Sequence, residues 1–421
     1  MSQPLSLRAQ LTIACPWFAY NVQWGALLPI VLPAQVAALA PGSKELVLGG
    51  VMNAGALVAL VVTPLAGALS DRLRGGRRPF VLAGGLANVV ALLLLGALGG
   101  HAPLAAFVAA ILALQLATNL WGGPYAATIP DRVPPADRAV ASAWMMVMTV
   151  LGTVAGAVLS GTLVQRGDFF AAYAFVAAVL VVCILLSFGP APGALSQPAA
   201  PRVRAPGEAP FFPPLRAHRA FYVVLITRAF VTMGVYSVYG FFLYFLGDVV
   251  HVAQPATNGS LLLGVAALVG VPAALLAGRL STRFGVLRIV VVASAVMALS
   301  AAAFVAIVFV PSWSATIALA LVYGAANCAY QAVDWALAIQ VLPDEQQAGK
   351  DMGIWHASFV LPQAIAPGLT GLAIAASKPV SLQLGYAVAF GLAALWFGIG
   401  TVFVARLRTA LGEPAPAVRP T

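Results

Sequence analysis

The chain has 421 residues, of which 62% are hydrophobic and only 8% are charged. Soluble domains carry roughly 25% charged residues, so the composition excludes a water-soluble globular protein. The three cysteines (Cys15, Cys183 and Cys328) all lie in apolar runs. A disulfide framework is therefore not expected.

Apolar runs of about 20 residues or more recur along the chain, and each is long enough to cross a bilayer as a helix. The first six predicted helices cover residues 8–38, 44–70, 79–98, 103–129, 139–164 and 169–188. The first run lacks a small-residue cleavage site, so we expect a retained helix and not a signal peptide. The last six predicted helices cover residues 219–246, 259–281, 287–310, 314–342, 351–376 and 382–408.

A proline-rich stretch divides these helices six and six. Residues 189–214 contain eight prolines, which prevent a continuous helix and favour an extended linker. We therefore expect four regions: an N-terminal six-helix bundle (1–188), a linker (189–218), a C-terminal six-helix bundle (219–408) and a tail (409–421).

The basic residues predict the orientation. The formal net charge is +10, and 18 of the 22 Lys and Arg residues fall in one alternating set of loops and tails. Only Lys44, Arg166 and Lys378 fall in the other set, while Arg228 lies within a helix. By the positive-inside rule, both termini and the linker are expected in the cytoplasm of a multi-pass protein of the cell membrane. This distribution argues against a nucleic-acid partner.

A charged loop between predicted helices 2 and 3 has a weaker copy later in the chain. The first copy starts at Gly67 and contains Asp71, Arg72, Arg77 and Arg78; the second starts at Gly278, 211 positions later. The Gly-x-x-x-Asp-Arg pattern resembles the corresponding loop of the major facilitator superfamily. This resemblance and the duplication imply an all-α integral membrane protein, with twelve transmembrane helices in two pseudo-symmetric six-helix bundles.

The resemblance also implies a gate at this loop. In facilitators the residue matching Asp71 caps the N-terminus of helix 11, which should begin near residue 351, when the transporter faces outward. A carboxylate is stabilised there by unpaired N–H groups. The alternative is that the arginines only signal orientation. The candidate gate residues are Gly67, Asp71, Arg72, Arg77 and Arg78.

The loop ending Arg77-Arg78-Pro79-Phe80 and the run 124–134 are similar to the glycoside–pentoside–hexuronide symporters and plant-type sucrose transporters. That similarity implies a sugar substrate. Helix 5 lacks the Gly-Pro pair of proton-coupled drug antiporters. Helix 2 has no carboxylate between Glu45 and Asp71, so sodium coupling is not expected, and proton coupling and facilitated diffusion both stay open.

Ionisable groups inside spans are expensive and are candidates for function. Arg228 lies nine residues into helix 7 and Asp334 lies nine residues before Pro343, each about 13 Å deep. We predict an Arg228–Asp334 ion pair, which takes part either in the transport cycle or only in folding. His356 either shares a proton with Asp334 or only donates a hydrogen bond.

Neutral polar and aromatic residues also recur within the predicted helices. Amides bond sugar hydroxyls and aromatic faces stack on sugar rings, whereas the alternative role is to bond neighbouring helices. The candidate substrate-binding residues are Asn21, Gln23, Trp24, Gln115, Asn119, Tyr236, Asn327, Tyr330, Gln331 and Trp335.

The sequence thus favours a secondary transporter that moves a sugar or glycoside by alternating access. The alternatives are an exporter of lipophilic compounds and a non-transporting membrane receptor. An enzyme is not expected, because no nucleophile–base constellation, metal cluster or phosphate loop is found. The expected partners are a small solute, the lipid bilayer and, if transport is coupled, a proton; no cofactor is expected, and the working unit is expected to be a monomer.

Overall fold

The computed structural model describes residues 7–72, 77–126, 133, 138–188, 213–341, 343 and 348–410. All regular structure in these ranges is helical. Twelve of the described helices are long and apolar enough to cross a membrane. The prediction of an all-α membrane protein with twelve spans is confirmed.

We number the twelve spans α1 to α12. The first six are α1 (Leu7–Ala26, Leu27–Val31 and Leu32–Leu39), α2 (Lys44–Arg72), α3 (Arg78–Leu98), α4 (Leu104–Ala126), α5 (Arg138–Gln165) and α6 (Phe169–Ser187). The last six are α7 (Arg219–Val238 and Phe242–Asp248), α8 (Pro255–Phe284), α9 (Val286–Phe309), α10 (Trp313–Gln340), α11 (Ala348–Gln363 and Ala366–Ser377) and α12 (Leu382–Ala410).

The observed bounds follow the predicted ones closely, with one clear difference in α8. This helix begins at Pro255, whereas Gly259 was the predicted start. Proline is favoured in the first helical turn, because its missing N–H would have no intrahelical acceptor there. The preceding Gln254 has a left-handed backbone conformation (φ 51°), which directs the chain into the helix.

Three spans are interrupted near the middle of the bundle. In α1, residues Leu27–Val31 form a π-helical turn, and the N–H of Leu32 bonds to the carbonyl of Leu27. In α11, the helix stops at Gln363 and resumes at Ala366. Prolines explain both interruptions, because Pro29 lies within the first, with Pro33 just after it, and Pro362 and Pro367 flank the second. Pro16, by contrast, lies inside the unbroken segment Leu7–Ala26.

The third interruption, in α7, has no proline. It covers residues 239–241, where the N–H of Phe241 bonds to the Val238 carbonyl three residues earlier. It lies 211 positions after the interrupted part of α1, and so at the equivalent place in the second copy of the repeat.

Helix packing repeats between the first six helices and the last six. In the first half α1 packs on α5 and α6, α2 on α4, and α3 on α4 and α6. In the second half the equivalent pairs form, with α7 on α11 and α12, α8 on α10, and α9 on α10 and α12. The halves meet where α2 contacts α11 and α5 contacts α8. The two bundles are therefore pseudo-symmetric.

The outer surface is strongly apolar. Leu185, Leu299 and Val310 are each more than 65% exposed, and many other leucines and valines are similarly exposed. Exposed apolar area on this scale would drive a soluble protein to aggregate, whereas a lipid environment solvates it.

The ends of the helices define two faces. The face that holds Lys44, Asp248 and Lys378 is here called the closed face, and the opposite face, which holds Arg77 and Arg219, the linker face. Hydrogen bonds and ion pairs between described residues of the two halves all lie on the closed-face side. They join Tyr244 to Pro33, Lys44 to Asp248, Lys378 to Glu45, Ala256 to Gln165 and Gly368 to Asn53.

We expect Gly156→Ala to destabilise the first half. A Cβ on Gly156 of α5 would overlap the carbonyl of Val22 in α1, so the two helices would have to separate. Overpacking of this kind costs about 1–3 kcal/mol. The thermal unfolding temperature of the purified protein should fall. Gly391→Ala in α12 is the matched control, because a Cβ there meets nothing within 4 Å; equal unfolding temperatures for the two variants would contradict the packing argument.

Candidate substrate cavity and gates

Tyrosine side chains from both halves meet near the middle of the bundle. Tyr236 of α7 contacts Tyr239, with ring centroids 6.2 Å apart. It also lies near Tyr323 on α10 and near Tyr20, which belongs to α1 in the other half. Among the described residues, the hydroxyls of Tyr236, Tyr239 and Tyr323 have no hydrogen-bond partner. Of the four tyrosines, only Tyr236 was a predicted site residue.

Polar residues continue from Tyr323 along α10. Tyr323, Asn327 and Gln331 are spaced four residues apart, which places them on one side of a helix. Asn327 is half-buried and Gln331 is exposed. The amides of Asn327 and Gln331 form no hydrogen bond with any other residue that the structure describes, so both are free to bind a solute.

The predicted partners Arg228 and Asp334 lie next to each other between α7 and α10. Arg228 Nη1 is 3.5 Å from Asp334 Oδ2, and the two side chains are 13% and 7% exposed. The hydroxyl of Tyr330 donates to Asp334 Oδ1 at 3.2 Å. The Arg228 guanidinium lies 3.3 Å from the centroid of the Trp355 ring, on α11. The cluster therefore joins three helices of the second half.

Two of the predicted site residues, Gln23 and Asn119, form hydrogen bonds between helices, and a third, Gln115, bonds to Asn119 within α4. Gln23 is buried, donates to Thr118 Oγ1 at 2.9 Å and accepts from Asn88 Nδ2 at 3.0 Å, which links α1 to α4 and α3. Asn119 accepts from Thr63 of α2 at 2.9 Å and donates to the Gln115 carbonyl at 2.7 Å. These contacts match the alternative role, in which the polar side chains bond neighbouring helices and do not bind a substrate.

Asn21 and Trp24 belong to α1. The Asn21 amide donates to the Trp17 carbonyl one turn earlier, at 2.7 Å. Trp24 contacts Tyr20, whose ring stacks on Trp17 and meets Trp121 edge-on. Because Trp121 is fully buried, this aromatic group is mainly a packed core, and Tyr20 lies at its border with the centre of the bundle.

Four predicted site residues have helical backbone, but their side chains lie outside the described part of the structure: Asp71, Arg72, Trp335 and His356. The proposed latch of Asp71 on α11 and the proton role of His356 therefore stay predictions.

The other predicted gate residues lie at the linker face. Arg77 is buried and its Nη1 donates to Ser70 Oγ at 3.2 Å, within the same half. The Arg78 guanidinium lies 5.6 Å from the centroid of the Phe188 ring. A Cβ on Gly67 would meet nothing within 4 Å, so packing in this structure does not require a glycine there.

The closed face carries charged residues that were not predicted to have a functional role. Lys44 and Glu45 of α2 bind Asp248 and Lys378, which belong to the second half. Lys44 and Lys378 were used only to orient the chain. The sequence signal that could have identified them is the adjacent pair of opposite charges at the start of helix 2. Orientation accounts for Lys44 but gives no reason for Glu45 beside it.

Two bundles of six helices, with polar groups gathered where they meet, define a membrane transporter of the facilitator type. The profile of the Major Facilitator Superfamily matches residues 17–349 and 260–421, so the chain belongs to this superfamily. A search of curated proteins gave no match.

Several solved transporters share the fold. A bacterial homolog of the human lysosomal transporter Spinster, in an inward-facing and unoccupied conformation, has a TM-score of 0.73 at 16% identity, over 99% of this chain and 100% of that one. The nucleoside transporter NupG has a TM-score of 0.71 at 13% identity, over 94% of this chain and 99% of that one. The POT family transporter PepTSo has a TM-score of 0.72 at 13% identity, over 96% of this chain and 98% of that one. At these identities the similarity shows the fold alone.

We expect the Arg228–Asp334 pair to behave as a buried ion pair. Asp334→Leu alone should destabilise the protein by about 3–5 kcal/mol, because it leaves a buried cation without its partner. The double variant Arg228→Met/Asp334→Leu should recover most of the lost stability. Thermal unfolding of the two variants measures this, and a double variant as unstable as the single one would contradict it.

Proposed function

We propose that the protein is a secondary transporter that moves a small uncharged polar solute, a sugar or glycoside, by alternating access. The observation that carries this proposal is the group of tyrosine hydroxyls near the middle of the spans, of which Tyr236, Tyr239 and Tyr323 have no partner among the described residues. An unpaired hydroxyl in hydrocarbon costs free energy. We therefore infer that these hydroxyls face a water-filled cavity, in which a solute replaces the water.

The chemistry of the proposed site suits a polyol. Tyrosine hydroxyls and the amides of Asn327 and Gln331 can donate to and accept from sugar hydroxyls. The rings of Tyr20 and Tyr236 offer apolar faces to the C–H side of a sugar ring. The proposed site leaves out Gln23, Gln115 and Asn119, because packing between helices already occupies them.

In this proposal the coupling ion is a proton carried by Asp334. When Asp334 is charged, Arg228 is its counter-ion. When Asp334 is protonated, the face of Trp355 still holds the guanidinium by a cation–π contact. Uptake driven by a pH gradient in the parent but not in Asp334→Asn would support this role.

The orientation and the branch of the superfamily also belong to the proposal. The positive-inside rule supports placing the linker face in the cytoplasm of a cell-membrane protein. The similarity to glycoside–pentoside–hexuronide symporters rests on the residues of the charged loop, and the comparisons lend it no support. A single chain supplies both halves of the cavity, which supports a monomeric working unit.

A thermal-shift screen tests the proposed substrate class. The purified protein is heated with sugars, glycosides and lipophilic cations, since a ligand of the folded state must raise its apparent stability. We expect a sugar or glycoside to raise the unfolding temperature. Tyr236→Phe, Asn327→Ala and Gln331→Ala should each weaken binding about fivefold or more, because one hydrogen bond is lost.

Tyr222→Phe is the matched control for that screen. Its hydroxyl donates to the Pro213 carbonyl at the linker face, away from the tyrosine cluster, so binding should not change. Stabilisation by lipophilic cations alone would contradict the sugar proposal and favour the exporter.

A further inference from the structure

The first turn of α2 carries two neighbouring residues of opposite charge, and the second half binds both. Lys44 Nζ lies 2.6 Å from Asp248 Oδ2 at the end of α7. Lys378 Nζ, just after α11, lies 2.8 Å from Glu45 Oε1. We propose that these four residues form a crossed lock, whose release is required before the cavity opens at the closed face.

Further contacts hold the Lys44–Asp248 pair in place. The Tyr386 hydroxyl of α12 donates to Asp248 Oδ2 at 2.6 Å. The Lys44 ammonium lies 4.6 Å from the centroid of the Tyr244 ring. The Tyr244 hydroxyl in turn donates to the Pro33 carbonyl of the first half at 2.7 Å. Residues from both halves therefore fix the geometry of this ion pair.

The Glu45–Lys378 pair lies at one end of the contact between α2 and α11. This contact, here called the seam, continues into the membrane. Glu45, Gly49 and Asn53 are spaced four residues apart and form one stripe of α2 that faces α11. A Cβ on Gly49 would overlap the Pro367 carbonyl, and a Cβ on Gly371 would overlap the Glu45 carbonyl. The two helices thus touch backbone to backbone at these glycines.

A hydrogen bond closes the inner end of the seam. The second segment of α11 starts at Ala366, so its first N–H groups have no acceptor within the helix. The N–H of Gly368 donates to Asn53 Oδ1 at 2.9 Å, from the opposite half. Separation of α2 from α11 therefore breaks an ion pair at one end and a half-buried hydrogen bond at the other.

The equivalent seam between α5 and α8 is built differently. There Gly161 packs on Ser260, and the N–H of Ala256 donates to Gln165 Oε1 at 3.0 Å. No ion pair joins α5 to α8 within the described ranges. Within the described ranges, the charged contacts between the halves are thus made by α2, and we place the release step there.

The partial exposure of one member of each pair makes the lock reversible. The side chains of Asp248 and Lys378 are 23% and 29% exposed, so water can solvate them as the pairs separate. Glu45 is 1% exposed in the closed arrangement and depends most on its partner. Partly exposed pairs contribute modestly to stability, which suits a contact that must break in every cycle.

Distance measurement between spin labels tests the lock without a substrate. One label is placed at His101→Cys in the first half and one at Val380→Cys in the second, both exposed on the closed face, with the three native cysteines replaced by alanine. The paired substitution Glu45→Gln/Lys378→Gln removes both charges and leaves neither unpaired. We expect it to raise the ratio of open to closed distances about fivefold.

Two comparisons decide the outcome. The charge swap Glu45→Lys/Lys378→Glu should restore the closed distance, and Arg166→Gln, which removes an exposed charge on the same face, should leave the distances unchanged. Lys44→Gln/Asp248→Asn gives a second, independent reading if the first pair folds poorly. Distances in both neutralised variants that match the parent would overturn the lock.

Discussion

The interior of a bilayer offers no hydrogen bonds, so every polar group of this chain must find a partner within the protein or in a water-filled cavity. Continuous helices meet this requirement for the backbone. The interrupted span α11 does not meet it by itself, because the first N–H groups of its second segment have no acceptor within the helix, and Asn53 of α2 accepts from one of them. In α7 the gap also lies where the halves meet: Gly240 packs on Met52 of α2, Tyr236 precedes the gap and Tyr239 lies in it.

Polar contacts fall into two groups with different roles. Those within a half, such as Gln23 with Asn88 or with Thr118, are buried and join helices that pack along their length. Among the described residues, those between the halves lie on the closed-face side and include partly exposed charges. This division suits two rigid bundles that rock against each other, because the contacts that must break lie together on one side while those within each half persist.

Hydropathy and the internal repeat were enough to predict twelve spans and their order, since the length and apolarity of a span are local properties. The Arg228–Asp334 contact followed from similar depth on two helices of one half. Periodicity indicates which face of a helix a residue lies on, but not which group its amide bonds. Gln23, which bonds neighbouring helices, and Asn327, whose amide has no partner among the described residues, could therefore not be distinguished from the sequence. The gap in α7 carries no proline, and the charges of Lys44 and Glu45 looked like orientation signals. The domain limits and the Asp71 latch stay predictions.

Alternating access is the central claim, and distances measured on both faces of the same protein test it most directly. Spin labels at Arg8→Cys and Thr282→Cys, both exposed at the linker face, complement the closed-face pair at His101→Cys and Val380→Cys. Under conditions that shift the conformational equilibrium, alternating access predicts that one distance lengthens while the other shortens. Two distances that stay fixed, or that lengthen together, would contradict it.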